Sequence, residues 1–384
     1  MAKKKTTKKK KSKKKKKKKQ QKSEPSIGKA GTKGLYSPVR GRVSCGVSVV
    51  DAIMGGPTVL EDGKSSPTPM KPDGTIETAW GVPIGRILEV VGGYGTGKST
   101  FIENVAANVQ ALGGDVCMGI TEATLDPGRM IRMGCDPERI YFNEFEYIED
   151  GFEWLLQILE SRAKRRDKVP FLITWDTIGA SHSKDERPGS GSRNVREGLR
   201  KITNLVAQAN AIMVFVNQTS ASFDRWETEP ATPFGMGIRF HASIRLEFKG
   251  QKKFTETEGV QAGRQIFTES KAAYGIQPVV TCRKNKTFPP FRRCRLPVTF
   301  QGGLDNDFGL FLYLSQRKSI ISVTAPTANE RSDLGNVITF RMAEPVACFW
   351  NTYREFLQDN PEVREWMVSK CRELAYNGFD PIAS

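Results

Sequence analysis

The chain has 384 residues, a hydrophobic share of 38% and a formal charge of +17. That length admits a large core and a second, smaller domain, and that hydrophobic share is ordinary for a soluble globular protein. No apolar run is long enough to span a bilayer or has the character of a signal peptide, so membrane proteins and secreted disulfide scaffolds are excluded as classes and an intracellular location is expected. The seven cysteines form no C-x-x-C pair and there are two histidines, His182 and His241. A structural zinc site is therefore not expected, and reduced, buried thiols are.

The charge is unevenly placed. Residues 1–22 contain fifteen lysines and no acid, and without them the rest of the chain carries +2. Like charges repel and no apolar group offers a core, so this tail is expected to be disordered. It reads as an electrostatic arm for nucleic acid; a solubility tail or an import signal are the alternatives. Residues 23–42 read as a linker and the globular pattern begins at Val43. Residues 57–79, with Pro57, Pro67, Pro69 and Pro72, read as a loop insertion.

Strand and helix patterns then alternate. Strands are predicted over 87–91, 116–120, 139–142, 170–175, 211–216, 241–248 and 277–283, and helices over 99–112, 127–133, 149–164 and 193–209. The wholly apolar run Ala211–Val216 predicts a mostly parallel, twisted sheet flanked by helices on both faces. Ala242, Ile244, Leu246 and Phe248 alternate with polar residues, which predicts a half-exposed or antiparallel strand. Helices at 345–358 and 361–376 predict a small C-terminal lobe, with domains at 1–42, 43–303 and 304–384.

Gly92-Gly93-Tyr94-Gly95-Thr96-Gly97-Lys98-Ser99, followed by Thr100, fits the phosphate-binding pattern G-x-x-x-x-G-K-[ST], with a strand before it and a helix after. Glycines let backbone N–H groups close on phosphate oxygens at a helix N-terminus. Lys98 would reach the terminal phosphates and Ser99 would hold Mg²⁺, so ATP and Mg²⁺ are the expected ligands. The bland alternative is a glycine-rich turn that binds nothing. Phosphoryl transfer needs a second carboxylate near the metal and a group to position water. Asp176, ending Phe171–Trp175, supplies the first. Glu122, ending a strand expected to lie next to the loop strand, is a candidate for the second. Gln218, after Ala211–Asn217, is placed to sense a γ-phosphate. By position alone, a surface glutamate and a capped turn fit these two equally well.

Several ordered segments resemble bacterial RecA recombinases. Glu122-Ala123-Thr124-Leu125-Asp126-Pro127 resembles their E-x-A-L-D-P element. Val214–Gln218 resembles the strand before their second DNA loop, and Ile238–Leu246 the segment after it. Lys284-Asn285-Lys286 with Pro290-Phe291 resembles K-N-K…P-F, Val43–Asp51 the lead into the core, and Phe356–Glu362 a C-terminal motif. The match runs from about Val43 to about Leu374. It implies a RecA-type ATPase core with a small α/β C-terminal lobe, and a DNA-dependent ATPase that forms filaments on single-stranded DNA and pairs it with double-stranded DNA. A cytoplasmic setting follows, in a nucleoid or a host cell.

By the same resemblance Glu122 activates the hydrolytic water, Asp126 contacts the adenine amino group and Gln218 senses the γ-phosphate. Lys284 and Lys286 reach a neighbour's ATP across a subunit interface, where Phe240 also lies. DNA contacts are expected from two flexible loops, 181–194 and 219–235, with Phe223, Arg225 and Trp226 in the second. Arg193 and Arg200 share one helix face. The sequence also departs from the family. No counterpart of the N-terminal docking helix is visible, and Arg129 stands where an adenine-stacking tyrosine is expected. The acidic C-terminal tail of many members is missing. A ring-forming DNA motor or repair accessory without strand exchange, and a nucleotide-gated scaffold with little turnover, are the competing readings.

Overall fold

The computed structural model describes residues 39, 41–56, 80–121, 126–165, 169–219, 232–255, 273–326 and 335–382. The lysine tail, most of the linker, the 57–79 insertion, Glu122, and the loop carrying Phe223, Arg225 and Trp226 lie outside the described residues.

The chain enters through β1 (Arg42–Val43), α1 (Ser48–Met54) and β2 (Val82–Pro83). The alternation that follows is β3 (Arg86–Gly92), α2 (Lys98–Ala111), β4 (Val116–Ile120), α3 (Pro127–Arg132), β5 (Ile140–Glu144), α4 (Ile148–Arg165), β6 (Phe171–Asp176), α5 (Ser190–Gln208) and β7 (Ala211–Gln218). Next come α6 (Gly235–His241), β8 (Ile244–Thr255), β9 (Ala273–Asn285), β10 (Arg293–Arg295), β11 (Val298–Thr299) and β12 (Gly303–Leu304). The central sheet runs β12-β11-β9-β8-β3-β7-β6-β4-β5, with β10 added to β9. β8, β3, β7, β6, β4 and β5 are parallel, and β9 turns antiparallel against β8. The fold is thus the α/β architecture expected, with a mixed, mostly parallel sheet. The apolar run of β7 is central because both of its faces are buried.

Each face of the sheet has its own core. Phe101, Ile102, Val105 and Val109 of α2 pack on one face with Leu88, Val90, Val214 and Val216. On the other, Phe152, Leu155 and Leu159 of α4 and Val195, Leu199 and Ile202 of α5 pack on Ile173, Trp175, Met213 and Phe215. Helix α2 stops where its glycines predict. Gly113, at φ +82°, lets its N–H reach Gln110 O (2.9 Å) while Gly114 N–H reaches Val109 O (3.0 Å), which satisfies the last carbonyls of the helix.

Three expectations need correction. β4 is not beside β3, because β7 and β6 lie between them. β8 is not half-exposed: Arg245 and Glu247, the polar members of its alternation, are buried and paired. Arg245 Nε lies 3.0 Å from Glu89 of β3, and Glu247 accepts from Arg283 Nε of β9 at 2.5 Å. A period of two therefore arose from internal ion pairs rather than from solvent. β8 is antiparallel to β9 but parallel to β3. The third correction concerns 345–358, which is not one helix. Val346–Phe349 is the strand β15, paired with β14 (Val337–Phe340) beside β13 (Ile321–Thr324), and α8 (Tyr353–Asp359) starts only afterwards.

An additional helix, α7 (Asn306–Leu314), is capped by Asp305, whose Oδ1 accepts Phe308 N–H at 3.1 Å. With α9 (Pro361–Tyr376) it shares the hydrophobic cluster of α1 and β8, including Val49, Leu246, Phe308, Met367 and Cys371. All seven cysteines are buried, and among the described residues no helix is long and apolar enough to cross a membrane.

Arg245 and Glu89 are both almost fully buried. Arg245→Met should lower the unfolding free energy by about 3–5 kcal/mol, because it leaves a buried carboxylate without its partner. Adding Glu89→Gln should recover part of that loss in urea denaturation, whereas strictly additive losses would show that the two side chains do not act as a pair.

Candidate functional site

The phosphate loop is shaped by positions where a side chain has no room. A Cβ on Gly92 would lie 2.5 Å from the Phe248 carbonyl of β8, and Gly97 takes φ +84° one residue before α2 begins. Thr96 Oγ1 donates to Gly93 O at 2.9 Å and closes the loop on itself. Lys98 Nζ donates to Gly92 O (3.1 Å) and Gly93 O (2.7 Å), so the ammonium lies against the loop's own carbonyls. The N-terminus of α2 thus presents backbone N–H groups and a cation to one space.

The two candidate metal-side residues meet beside it. Ser99 Oγ lies 3.4 Å from Asp176 Oδ2, a pair of hard oxygen donors of the kind Mg²⁺ takes. Asp176 Oδ1 also accepts from Thr177 Oγ1 at 2.8 Å. The end of β4 is fastened to this strand end. Thr121 N donates to Asp176 O (3.1 Å), Thr121 Oγ1 to Thr177 O (2.8 Å), and Thr177 N to Thr121 Oγ1 (3.0 Å). Glu122, the next residue in sequence, lies outside the described residues.

A cavity of about 400 Å³ opens here, lined by Tyr94–Thr100, Asp176, Gln218 and Arg129 together with Glu103, Met133 and Phe300. Gln218 is exposed at the end of β7, level with Gly92 across the β3–β7 pairing. Its neighbour Asn217 is buried, and Asn217 Nδ2 donates to Pro233 O at 2.8 Å. Gln218 therefore stands next to a tie that holds the chain where it returns from the 220–231 segment.

At the other end of the cavity Arg129 Nε donates to Glu103 Oε1 at 3.1 Å, and a second guanidinium nitrogen contacts the same oxygen. Burial raises Glu103 above the usual carboxylate range, and Arg129 opposes that shift. This bidentate grip fixes the plane of the guanidinium. Asp126 instead caps α3, accepting Arg129 N–H at 3.1 Å, and is not among the residues lining the cavity. Phe300 was not anticipated. Its ring is 58% exposed and lines the cavity from the turn between β11 and β12, a turn held close because Val298 packs against Gly97. The sequence signal was an aromatic followed by Gly302-Gly303, which has no fixed spacing from the phosphate loop.

Lys284, Lys286 and Phe240 lie elsewhere. Gly92 is level with Phe248, and Phe248 with Val280. β9 runs opposite to β3, so at ~3.3 Å per residue Lys286 is about 20 Å from the loop along the sheet. Lys284 Nζ contacts the Arg239 and Phe240 carbonyls, and Lys286 Nζ donates to Phe240 O at 3.2 Å. Phe240 itself is 75% exposed.

The 181–194 segment is more ordered than expected. α5 begins at Ser190, and Glu149 accepts from Ser183 Oγ (3.0 Å), Lys184 N (3.2 Å) and Asn194 Nδ2 (2.6 Å). Arg193 and Arg200 are both exposed on α5. Asp185 accepts from Arg187 Nε and from a terminal guanidinium nitrogen of Arg193, each at 2.8 Å, and these contacts hold it well below the usual carboxylate range.

The RecA N-terminal domain family matches residues 74–305. Protein RecA of Macrococcus caseolyticus is 26% identical over 314 residues, covering 78% of this chain and 79% of that protein. Protein RecA of Staphylococcus epidermidis is 25% identical, over 78% and 80%, and that of Ruminococcus albus is 28% identical over 58% and 54%.

Lys98→Ala should weaken binding of a fluorescent ATP analogue by roughly tenfold or more, the value of one charge-assisted contact. Affinity unchanged by equilibrium titration would remove the loop from the site.

Proposed function

The chain belongs to the RecA family, and on that premise we propose that it is a DNA-dependent ATPase of recombination and repair. It forms ATP-bound filaments on single-stranded DNA and promotes homologous pairing and strand exchange with a duplex. The observation that carries this reading is the placement of Lys284 and Lys286 about 13 Å and about 20 Å along the sheet from the phosphate loop of their own chain. A site that uses both must be shared by two copies.

In one copy, the loop N–H groups and Lys98 hold the phosphates. Ser99 and Asp176 would hold Mg²⁺, whose charge offsets that of the phosphates. Glu122 takes the proton of the attacking water. Arg129 and Phe300 flank the base. The second copy contributes Lys284 and Lys286, which neutralise charge building on the transferred phosphoryl group, as an arginine finger does. Gln218 donates from Nε2 to the γ-phosphate, and through the Asn217–Pro233 tie its position bears on the DNA loop that contains Phe223, Arg225 and Trp226. Arg193 and Arg200 add backbone contacts. The lysine tail adds affinity without sequence preference.

Electron microscopy with single-stranded DNA and a slowly hydrolysed ATP analogue should show continuous helical filaments. Closed rings would favour a motor or repair accessory without strand exchange. Turnover should rise with added polynucleotide. Lys98→Ala and the double variant Lys284→Ala/Lys286→Ala should each be inactive alone, yet an equal mixture should regain part of the turnover, since some interfaces then pair an intact loop with intact lysines. A mixture as inactive as its components would exclude a shared site. Deleting residues 1–22 should flatten the salt dependence of single-stranded DNA binding by about 0.7 in log–log slope for every phosphate that the tail had neutralised.

A further inference from the structure

One titratable side chain near the two lysines has no part in the scheme above. His241 ends α6, immediately after the residue whose carbonyl receives both ammonium groups. Its Nδ1 lies 2.9 Å from Thr203 Oγ1 of α5. Thr203 has a single hydroxyl proton, which it donates to Leu199 O at 2.5 Å. The hydroxyl must therefore accept from the ring, which places the hydrogen of the neutral imidazole on Nδ1. Nε2 is left as the atom that gains or loses a proton. Cations face the ring from the other elements packed around it: Arg200 on α5, and Lys284 and Lys286 at the end of β9. Lys286 is exposed and gives one of its three N–H donors to Phe240 O.

We propose that His241 is the third member of an anion site with Lys284 and Lys286, and that Nε2 takes up one proton from solvent when phosphate oxygens enter. The inference rests on the reading that these lysines face a nucleotide held by a second copy. It adds that closure of the shared site is coupled to a proton. The physical reason is a balance of charges. Burial, followed by repulsion from Lys286, Arg200 and Lys284, keeps the ring below its ordinary pKa. An oxyanion among the same groups reverses that repulsion and accepts a hydrogen bond from protonated Nε2. The pKa must then rise, and by linkage the protonated form binds the anion more tightly. Anion affinity is thus highest at low pH and falls as pH rises through the pKa of the bound form.

The chain has two histidines, so ring resonances can be followed by NMR with His182 as the internal control. The probe is sulfate, which keeps its charge between pH 6 and 8, compared with chloride at equal ionic strength. Lys98→Ala serves as the background and keeps sulfate off the phosphate loop. The His241 midpoint should rise by about one pH unit in sulfate, and sulfate should bind roughly three- to fivefold more tightly at pH 6 than at pH 8, tenfold being the limit reached only well below the free midpoint. Lys284→Ala/Lys286→Ala should abolish the rise, and His241→Gln, which can still bond to Thr203, should bind sulfate with the same affinity at both pH values. An unmoved midpoint, a rise that survives loss of the lysines, or a His241→Gln variant with the original pH dependence would each overturn the proposal. Because no turnover is measured, the proposal can fail while the ATPase reading stands, and the mixing experiment can fail while this titration succeeds.

Discussion

The antiparallel turn of β9 against the parallel strands governs the placement of the candidate site. Every parallel strand of the sheet delivers its C-terminal end to the edge where the phosphate loop, Asp176 and Gln218 stand. β9 delivers its C-terminal end, with Lys284 and Lys286, to the opposite edge. Leu88 is level with Ile244 and Asn285, and Gly92 with Phe248 and Val280. No side-chain rotation spans that gap, since an extended lysine reaches only about half of the shorter separation, ~13 Å for Lys284. The distance is set by backbone hydrogen bonds, so a chain that uses both groups on one phosphate must use two copies of itself.

That geometry depends on keeping β3, β8 and β9 in register. The Glu89–Arg245 pair lies between β3 and β8, and Glu247–Arg283 between β8 and β9. Buried ion pairs contribute little net stability, but they penalise every alternative pairing, because a one-residue slip would bury each charge without its partner. Here the penalty falls on the strands that fix the separation between the phosphate loop and the lysines. Burial raises Glu89 above its usual range, and Arg245, then Arg239 and Asn217, pull it back. Asn217 adjoins Gln218 and Arg239 adjoins Phe240, so Glu89 is influenced by groups next to both edges of the sheet.

What could be read from the sequence divides along similar lines. The phosphate loop, Asp176 and the central strands were legible because their signals are local: a fixed glycine spacing, an apolar run ending in an acid, a helix stopped by Gly113-Gly114. The β8 alternation misled because a buried charge and an exposed one look the same in a periodicity. Arg245 is hidden by Glu89, which lies far away in sequence. Val346–Phe349 read as helix because four residues are too few to distinguish the two periods and a helix, α8, follows closely. Phe300 escaped because only the packing of Val298 on Gly97 brings its turn to the cavity. The placement of β4 beyond β7 and β6 is a property of crossover order, which strand patterns alone do not carry.

Charge is distributed so that binding and reading of DNA fall to different parts of the chain in the proposed function. Outside the lysine tail the chain carries +2, and its exposed cations near the expected DNA face are partly spoken for. Asp185 holds Arg187 and Arg193, and Asp150 holds Lys184. A phosphate that engages these arginines must compete with a carboxylate already in place, so each such contact yields less than a bare arginine would. In the proposed function nonspecific affinity would rest mainly on the tail, whose fifteen lysines have no acid among them and whose contribution would be released counterions. In that function the folded body would then discriminate by geometry, through the α5 arginines and the segment that follows Gln218, whose return at Pro233 is bonded to Asn217. A tail that concentrates strands and a body that responds to nucleotide are separable in energy, since the first weakens steeply with salt while the second follows the state of the shared ATP site.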